Sequence, residues 1–457
     1  MNDEDFEKKY DAYLQAPEAL IDGIDFETHI ICTYIAKLSS KQNATYMAKY
    51  AVIEQSTGTW TRVPAETPEV RKKHVGKVLS VYEVPNYEYE VPSREPINPL
   101  IKLQSRQYVF IVAYPLINVQ RPDGTFNFPL MLTTVHGNIS LGGPLKLVDI
   151  RFPKAFLEQF KGPKFGIDGI RKVLKVPERP MLNNMVKPCT GHSCETAADL
   201  VYKAAVGGCD VVKDDELIAD AVFNTLEDRV TAVMEGVDKA NSEKGEETLY
   251  TINITDNVPD VLEHANKIQD LGGNALMVNF LVVGLSTLKA ITEDPSIKIP
   301  VLAHMDFAGV WYEDPWSGVA SDLTLGKFPR ICGADIIVVP APYGKAVVVD
   351  ERYFMNIKAM RFPLQNINQT LPMPSGGITA GMVGKSVRDA GKDILIGSGG
   401  GIHAHPDGPI EGAKAFRQAI DAVMKGIKVK KYAKDHEALA KAMGLWGSKK
   451  TTFEQDV

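Results

Sequence analysis

From about residue 180 the sequence settles into an alternation that limits the fold more than any other feature. Short apolar β-type runs begin at MLNNMVKP (181), CDVVKD (209), TLYTINIT (248), ALMVNFL (275), IPVLAHMD (299), DIIVVPAP (335), QTLPMPSGG (369) and DILIGSGGG (393). Longer helical stretches separate them, such as LEDRVTAVMEGVDKANSEKG after the second run and EGAKAFRQAIDAVMKGI after the eighth; the sixth is the least clearly marked. Parallel strands need crossover helices, and those helices cover the sheet. Eight such units predict an α/β fold, a C-terminal (β/α)8 TIM barrel spanning 148–457, in preference to an open doubly wound sheet. The tail KKYAKDHEALAKAMGLWG adds one or two helices. Residues 1–147 follow another grammar. HIICTYIAKLS (29–39), KVLSVYEVPNYEYEVP and QYVFIVAYPLI read as strands and KQNATYMAKYAVIEQST (41–57) as a helix, an N-terminal α+β domain of ferredoxin-like type.

Composition excludes several classes. A net charge of −6 leaves no basic field for a nucleic-acid backbone. No run of eighteen apolar residues suggests a membrane span, and the acidic start MNDEDFEKKY does not resemble a signal or transit peptide. The five cysteines, Cys32, Cys189, Cys194, Cys209 and Cys332, are odd in number and lack C-x-x-C spacing. They read as free thiols, and the expected compartment is the cytoplasm.

In a barrel of this kind catalytic groups sit at the C-terminal ends of the strands and in the loops beyond. That rule selects Lys187 after the first strand, Lys213, Asp215 and Glu216 after the second, His304 after the fifth and Lys345 after the sixth. The seventh and eighth strands run into Ser375-Gly376-Gly377 and Gly399-Gly400-Gly401. Bare backbone N–H groups in those two loops suit a phosphate, because a Cβ would hold the anion away. The stretch TAGMVGKS (379–386) approximates a nucleotide P-loop, but Thr379 replaces its first glycine and it falls in the seventh helix, so it is set aside. In Lys213-Asp214-Asp215-Glu216, alternation turns Lys213 and Asp215 to one face. Two carboxylates suit a hard cation such as Mg²⁺, and a desolvated lysine can add CO₂ to give a third oxygen ligand.

With those residues in view, VGGCDVVKDDE resembles the metal-binding segment of the large subunit of ribulose-bisphosphate carboxylase/oxygenase (RuBisCO). IEQSTGTW (53–60), HGNIS (136–140), FKGPKFGIDGIR (160–171), VKP (186–188), both glycine loops and HPDGPIEGAKAFRQA (405–419) are similar to that family in the same order. The resemblance implies one Mg²⁺ held by carbamylated Lys213 with Asp215 and Glu216. It implies proton handling by Lys187 and a mobile-loop role for Lys345. A phosphate would bind at Gly377, Gly399 and Gly400, beside Ser375 and Gly376. Glu54, Thr59, Trp60 and Asn138 would come from a second copy, making a homodimer with shared sites.

Departures from the family pattern separate this chain from a CO₂-fixing enzyme. Its K-P-K is here Lys187-Pro188-Cys189, its H-R-x-x-H is His304-Met305-Asp306-Phe307-Ala308, and its sixth-strand histidine is Val338. In the family the lost arginine and sixth-strand histidine help grip a second phosphate, so a monophosphorylated substrate and a RuBisCO-like protein are implied. The retained Lys345 favours loss of CO₂ from a 3-oxo sugar acid phosphate of the 3-oxo-isoapionate 4-phosphate type. Alternatives are the enolase acting on 2,3-diketo-5-methylthiopentyl-1-phosphate, methylthioribulose-phosphate isomerase, and a non-catalytic regulatory homologue. A Schiff-base aldolase would need Lys187 or Lys213 free and no metal. Asn138 stands where the salvage enolases carry a lysine, which weighs against that activity. Cys189 is expected to be a small buried apolar residue.

Overall fold

The computed structural model describes residues 24–39, 41–84, 105–346 and 348–448. The chain forms two compact units, one from residues up to Gln159 together with Gly309–Thr324, the other from Phe160–Ala308 and the residues from Leu325 on.

The first unit is a twisted sheet with helices. β1 (His29–Ser39) is central, antiparallel to β3 (Ser105–Pro115) on one side and β4 (Leu145–Arg151) on the other, with β2 (Lys77–Val84) outside β3. The alternation of HIICTYIAKLS appears as alternating burial in its second half, Tyr34, Ala36 and Leu38 facing inward. The helix Ala44–Glu54 begins at Asn43, whose side chain accepts from Tyr46 N, within the expected 41–57. The strand KVLSVYEV is described to Val84, and the rest of that expected strand lies outside the described residues. Residue 147, the expected end of this domain, lies inside β4, and the two-residue strand Gly318–Val319 pairs in parallel with β4. That short strand comes from the loop after the fifth barrel strand, which periodicity gave no reason to assign here.

The second unit holds all eight expected strands: β5 (Met181–Met185), β6 (Val211–Lys213), β7 (Leu249–Asn253), β8 (Ala275–Val278), β9 (Val301–Ala303), β10 (Ile336–Pro340), β11 (Leu371–Ser375) and β12 (Leu395–Ser398). Their parallel pairing runs from β11 through β10, β9, β8, β7, β6 and β5 to β12. β12 then lies beside β11 and closes the ring. Leu371 N donates to Asp335 O on the β10 side, so Pro372 and Pro374 turn their missing N–H groups toward β12. Gly397 on β12 sits against Met373 and Ser375 so closely that a Cβ would lie 2.9–3.0 Å from them.

Alternate residues of the strands fill the barrel: Met181 and Met185, Val211, Leu249, Ala275 and Met277, Leu302, Ile336 and Val338, Leu371 and Met373, Leu395. The helix Gly166–Leu174 closes the lower end with Ile167, Ile170 and Leu174 at helical spacing. Asp335 anchors its start, accepting from Phe165 N, Gly166 N and Val301 N at 2.7, 2.9 and 3.0 Å. The same period of two sets the upper end. Lys213 lies two residues beyond Val211, and His304 two beyond Leu302, so both point into the barrel mouth.

Asp214, between the residues of interest, faces the other way. It accepts from Arg229 Nε at 3.2 Å, from the Tyr250 hydroxyl and from Asn253 N at 3.0 Å. Arg229 lies on the helix Leu226–Lys244, which Thr225 caps and Gly245 ends at φ 70°. Both partners are fully buried. Removing one charge of such a pair strands the other. Asp214→Asn is therefore expected to cost about 3 kcal/mol in urea unfolding of the barrel, and a loss below about 1 kcal/mol would mean that the pair does not anchor β6.

Candidate active site

A cavity of about 390 Å³ opens within the barrel unit. Lys187, Lys213, Glu216, His304, Lys345, Ser375, Gly376, Gly377, Gly399, Gly400 and Gly401 all line it, from six strand ends that are far apart in sequence. Met185, Met305, Asp306, Ile378, Thr379 and Trp446 complete the wall. Asp306 had a readable signal, since it follows His304 by two residues at a strand end. Trp446 had none, because it ends the C-terminal helix Glu437–Trp446.

The charges are paired. Lys213, only 1% exposed, donates to Glu216 Oε2 and to Asp214 O, each at 2.8 Å. Lys187 forms an ion pair with the fully buried Asp215, and its Nζ also lies 3.1 Å from Cys189 Sγ. Cys189 is thus half-buried beside an ammonium, not a small buried apolar residue. Burial opposes the charge on Lys187, but the Asp215 hydrogen bond and the Cys189 contact outweigh it and raise the pKa above that of an ordinary lysine. Burial would likewise raise Glu216; the Lys213 ammonium reverses this and holds it at about 2. His304 is pushed down to about 3, first by burial and then by Lys213, and is neutral at physiological pH. Asp306 is raised by burial and then by the Glu216 charge.

The glycine loops form the other side. Gly376 and Gly377 have φ of 97° and 88°, which only glycine adopts readily. Lys345 N donates to Gly376 O at 2.6 Å, so the Lys345 loop is stitched to the first glycine loop. A Cβ at Gly400 would meet open space, whereas one at Gly399 would approach Lys187 Cε to 3.1 Å. TAGMVGKS does enter the seventh helix, Val383–Ala390. Val338 lies in the barrel core, and Met305 packs against that core.

Glu54 and Asn138 belong to the first unit, where they line one cleft with Lys37, Tyr50 and Phe110. Trp60 is 65% exposed, and Thr59 lies in the same loop, after the helix Ala44–Glu54. Among the described residues no helix is long and apolar enough to cross a membrane.

The barrel mouth thus gathers paired lysines and carboxylates and two glycine loops in one cavity, at the end of the barrel where such folds carry their active sites. Residues 166–446 match the family model for the ribulose bisphosphate carboxylase large chain, catalytic domain, and residues 23–156 match its N-terminal domain. The chain belongs to the RuBisCO large-chain family. It is 49% identical over 432 residues to a ribulose bisphosphate carboxylase-like protein of Archaeoglobus fulgidus, covering 94% of this chain and 96% of that one. It is 34% identical over 418 residues to a 2,3-diketo-5-methylthiopentyl-1-phosphate enolase of Geobacillus kaustophilus, covering 92% and 98%. A rubisco-like protein of Alicyclobacillus acidocaldarius superposes with a TM-score of 0.81 at 32% identity, over 92% of this chain and 100% of that one.

Two outcomes follow from this geometry. Gly400→Ala is expected to leave stability within about 0.5 kcal/mol while weakening binding of inorganic phosphate, measured by calorimetry; unchanged phosphate binding would remove Gly400 from the anion site. The His304 Cε1 proton is expected to keep a constant chemical shift from pH 8 to pH 5, and a titration near 6.5 would show a solvated ring. Because its folded pKa of about 3 lies below the 6.5 of an ordinary imidazole, the unfolded chain takes the proton first. The stability contributed by this group therefore falls as the pH drops below about 6.5.

Proposed function

We propose that the chain is a divalent-cation-dependent enzyme that forms an enolate from a monophosphorylated keto sugar or 3-oxo sugar acid. The observation that carries this reading is the single cavity lined by Lys187, Lys213, Glu216, His304, Lys345 and both glycine loops. The glycine loops would take the phosphate. Lys187, beside Gly399 and paired with Asp215, would move a proton at the carbon beside the substrate carbonyl.

Mg²⁺ fits the donor chemistry: Asp215 and Glu216 supply carboxylate oxygens, and Lys213, 2.8 Å from Glu216, would supply carbamate oxygens after adding CO₂ and losing a proton. The cation would polarise the carbonyl and stabilise developing negative charge. Lys213 must give up its ammonium and Lys187 must release Asp215 for that set to form.

The finer reading is decarboxylation of a 3-oxo acid phosphate of the 3-oxo-isoapionate 4-phosphate type. The C–C bond to the carboxylate breaks, CO₂ leaves, and its electron pair becomes the enolate. Lys187, freed from its pairing with Asp215 once that carboxylate holds the cation, would then give its ammonium proton to that carbon and become the neutral amine. Lys345 in the same cavity supplies charge for the departing carboxylate. A second reading, enolisation of 2,3-diketo-5-methylthiopentyl-1-phosphate, is supported by the relatives bearing that name at 34% identity. There Lys187 acts first as a neutral base, removing the proton that the decarboxylase would add. Glu54, Thr59, Trp60 and Asn138 would complete the site from a second copy in a homodimer.

Proton NMR in D₂O with Mg²⁺ and bicarbonate separates the two. CO₂ release with deuterium delivered to the adjacent carbon is the expected outcome, and exchange without CO₂ loss would establish the enolase instead. Under either reading Lys187→Met is expected to lower kcat by about 10²–10⁴. A variant within threefold of the parent would remove Lys187 from the chemistry.

A further inference from the structure

Glu216 also belongs to a second group of donors at the barrel mouth. One ligand atom each from Glu216, His304 and Asp306 lies within 4.8 Å of the others. His304 Nε2 is 3.4 Å from Glu216 Oε2, and His304 Nδ1 is 3.5 Å from Asp306 Oδ1. One cation takes one ring nitrogen, so only one of these distances is a ligand–ligand edge, and the other carboxylate must close from within 4.8 Å to the about 3.0–3.4 Å that separates donors around a first-row cation with bonds of about 2.1 Å. His304 is 3% exposed, and its Nδ1 has no hydrogen-bond partner among the described residues. A buried, unsatisfied imidazole nitrogen facing a carboxylate asks for a proton or a cation.

We propose that Glu216, His304 and Asp306 form a divalent-cation site that fills without carbamylation of Lys213. Asp215 is fully buried against Lys187 and does not line the cavity, whereas these three residues do. A cation entering here displaces one ammonium contact, that of Lys213 with Glu216, and Lys213 keeps its bond to Asp214 O. A positive charge between Asp306 and Glu216 would relieve the repulsion of two carboxylates held beside one ring. One imidazole among two carboxylates favours Mn²⁺, Fe²⁺ or Zn²⁺ over Mg²⁺, which prefers oxygen alone. Asp306 thus adds a ligand carboxylate at a position within the family's H-R-x-x-H run. The site shares Glu216 with the carbamate set but does not depend on enolate chemistry, so the two ideas fail separately.

The test is Mn²⁺ titration of the chelator-stripped full chain in CO₂-free buffer, reading free Mn²⁺ by its EPR signal. The expected result is one bound Mn²⁺ per chain without bicarbonate, held at least about tenfold more tightly than Mg²⁺ in competition. Asp306→Ala and Asp306→Asn should each weaken binding by about tenfold or more, with melting curves confirming that they fold. Lys213→Met should bind Mn²⁺ as tightly as the parent or more tightly. Binding that requires bicarbonate, or that survives both Asp306 substitutions unchanged, overturns the proposal.

Discussion

The buried contact between Asp214 and Arg229 is the constraint on which the site depends. Asp214 accepts from a guanidinium, a phenol and a backbone N–H at once, all away from the cavity. With that carboxylate pinned outward at the end of β6, the residue before it must point inward and those after it must turn across the mouth. Lys213 and Glu216 meet at 2.8 Å as a result. The outward-facing acid of the Lys-Asp-Asp-Glu run is therefore structural support for its neighbours. A carboxylate buried so deeply is tolerable only with donors of this strength.

Charge balance at the mouth follows from the same geometry. Two ammonium groups and two carboxylates are matched pairwise, Lys187 with Asp215 and Lys213 with Glu216. Either pair can be opened by a cation that takes over the carboxylate, leaving the lysine to seek a proton acceptor or lose its charge. Under the proposed function, this would couple metal entry to the protonation of Lys187. His304 and Asp306 lie on the Glu216 side of this arrangement, and the glycine loops and Lys345 on the other walls of the same cavity.

All eight barrel strands were legible, because parallel strands covered on both faces leave continuous apolar runs with helices between them. Asp306 was visible as a residue two beyond His304, yet a lone acid in a loop gives no reason to prefer it until distances are known. Cys189 illustrates the opposite failure. Its small size suggested an apolar filler, whereas the turn after Lys187 brings its sulfur to 3.1 Å from that ammonium. Gly318–Val319 joins a sheet more than 160 residues earlier in the chain, and no periodicity in a two-residue strand reports its partner.

Local order alone settled the β–α alternation, the strand ends where chemistry collects and the glycine loops, since each depends on residues within one element or the turn beside it. Ring closure decided the rest. It brings Lys187 to Asp215, sets Glu216 beside His304, and delivers Trp446 from the C-terminal helix into the cavity wall. These are contacts between side chains on different strands or helices, governed by barrel curvature and by the burial of charge. Neither quantity is encoded in any short stretch of the chain.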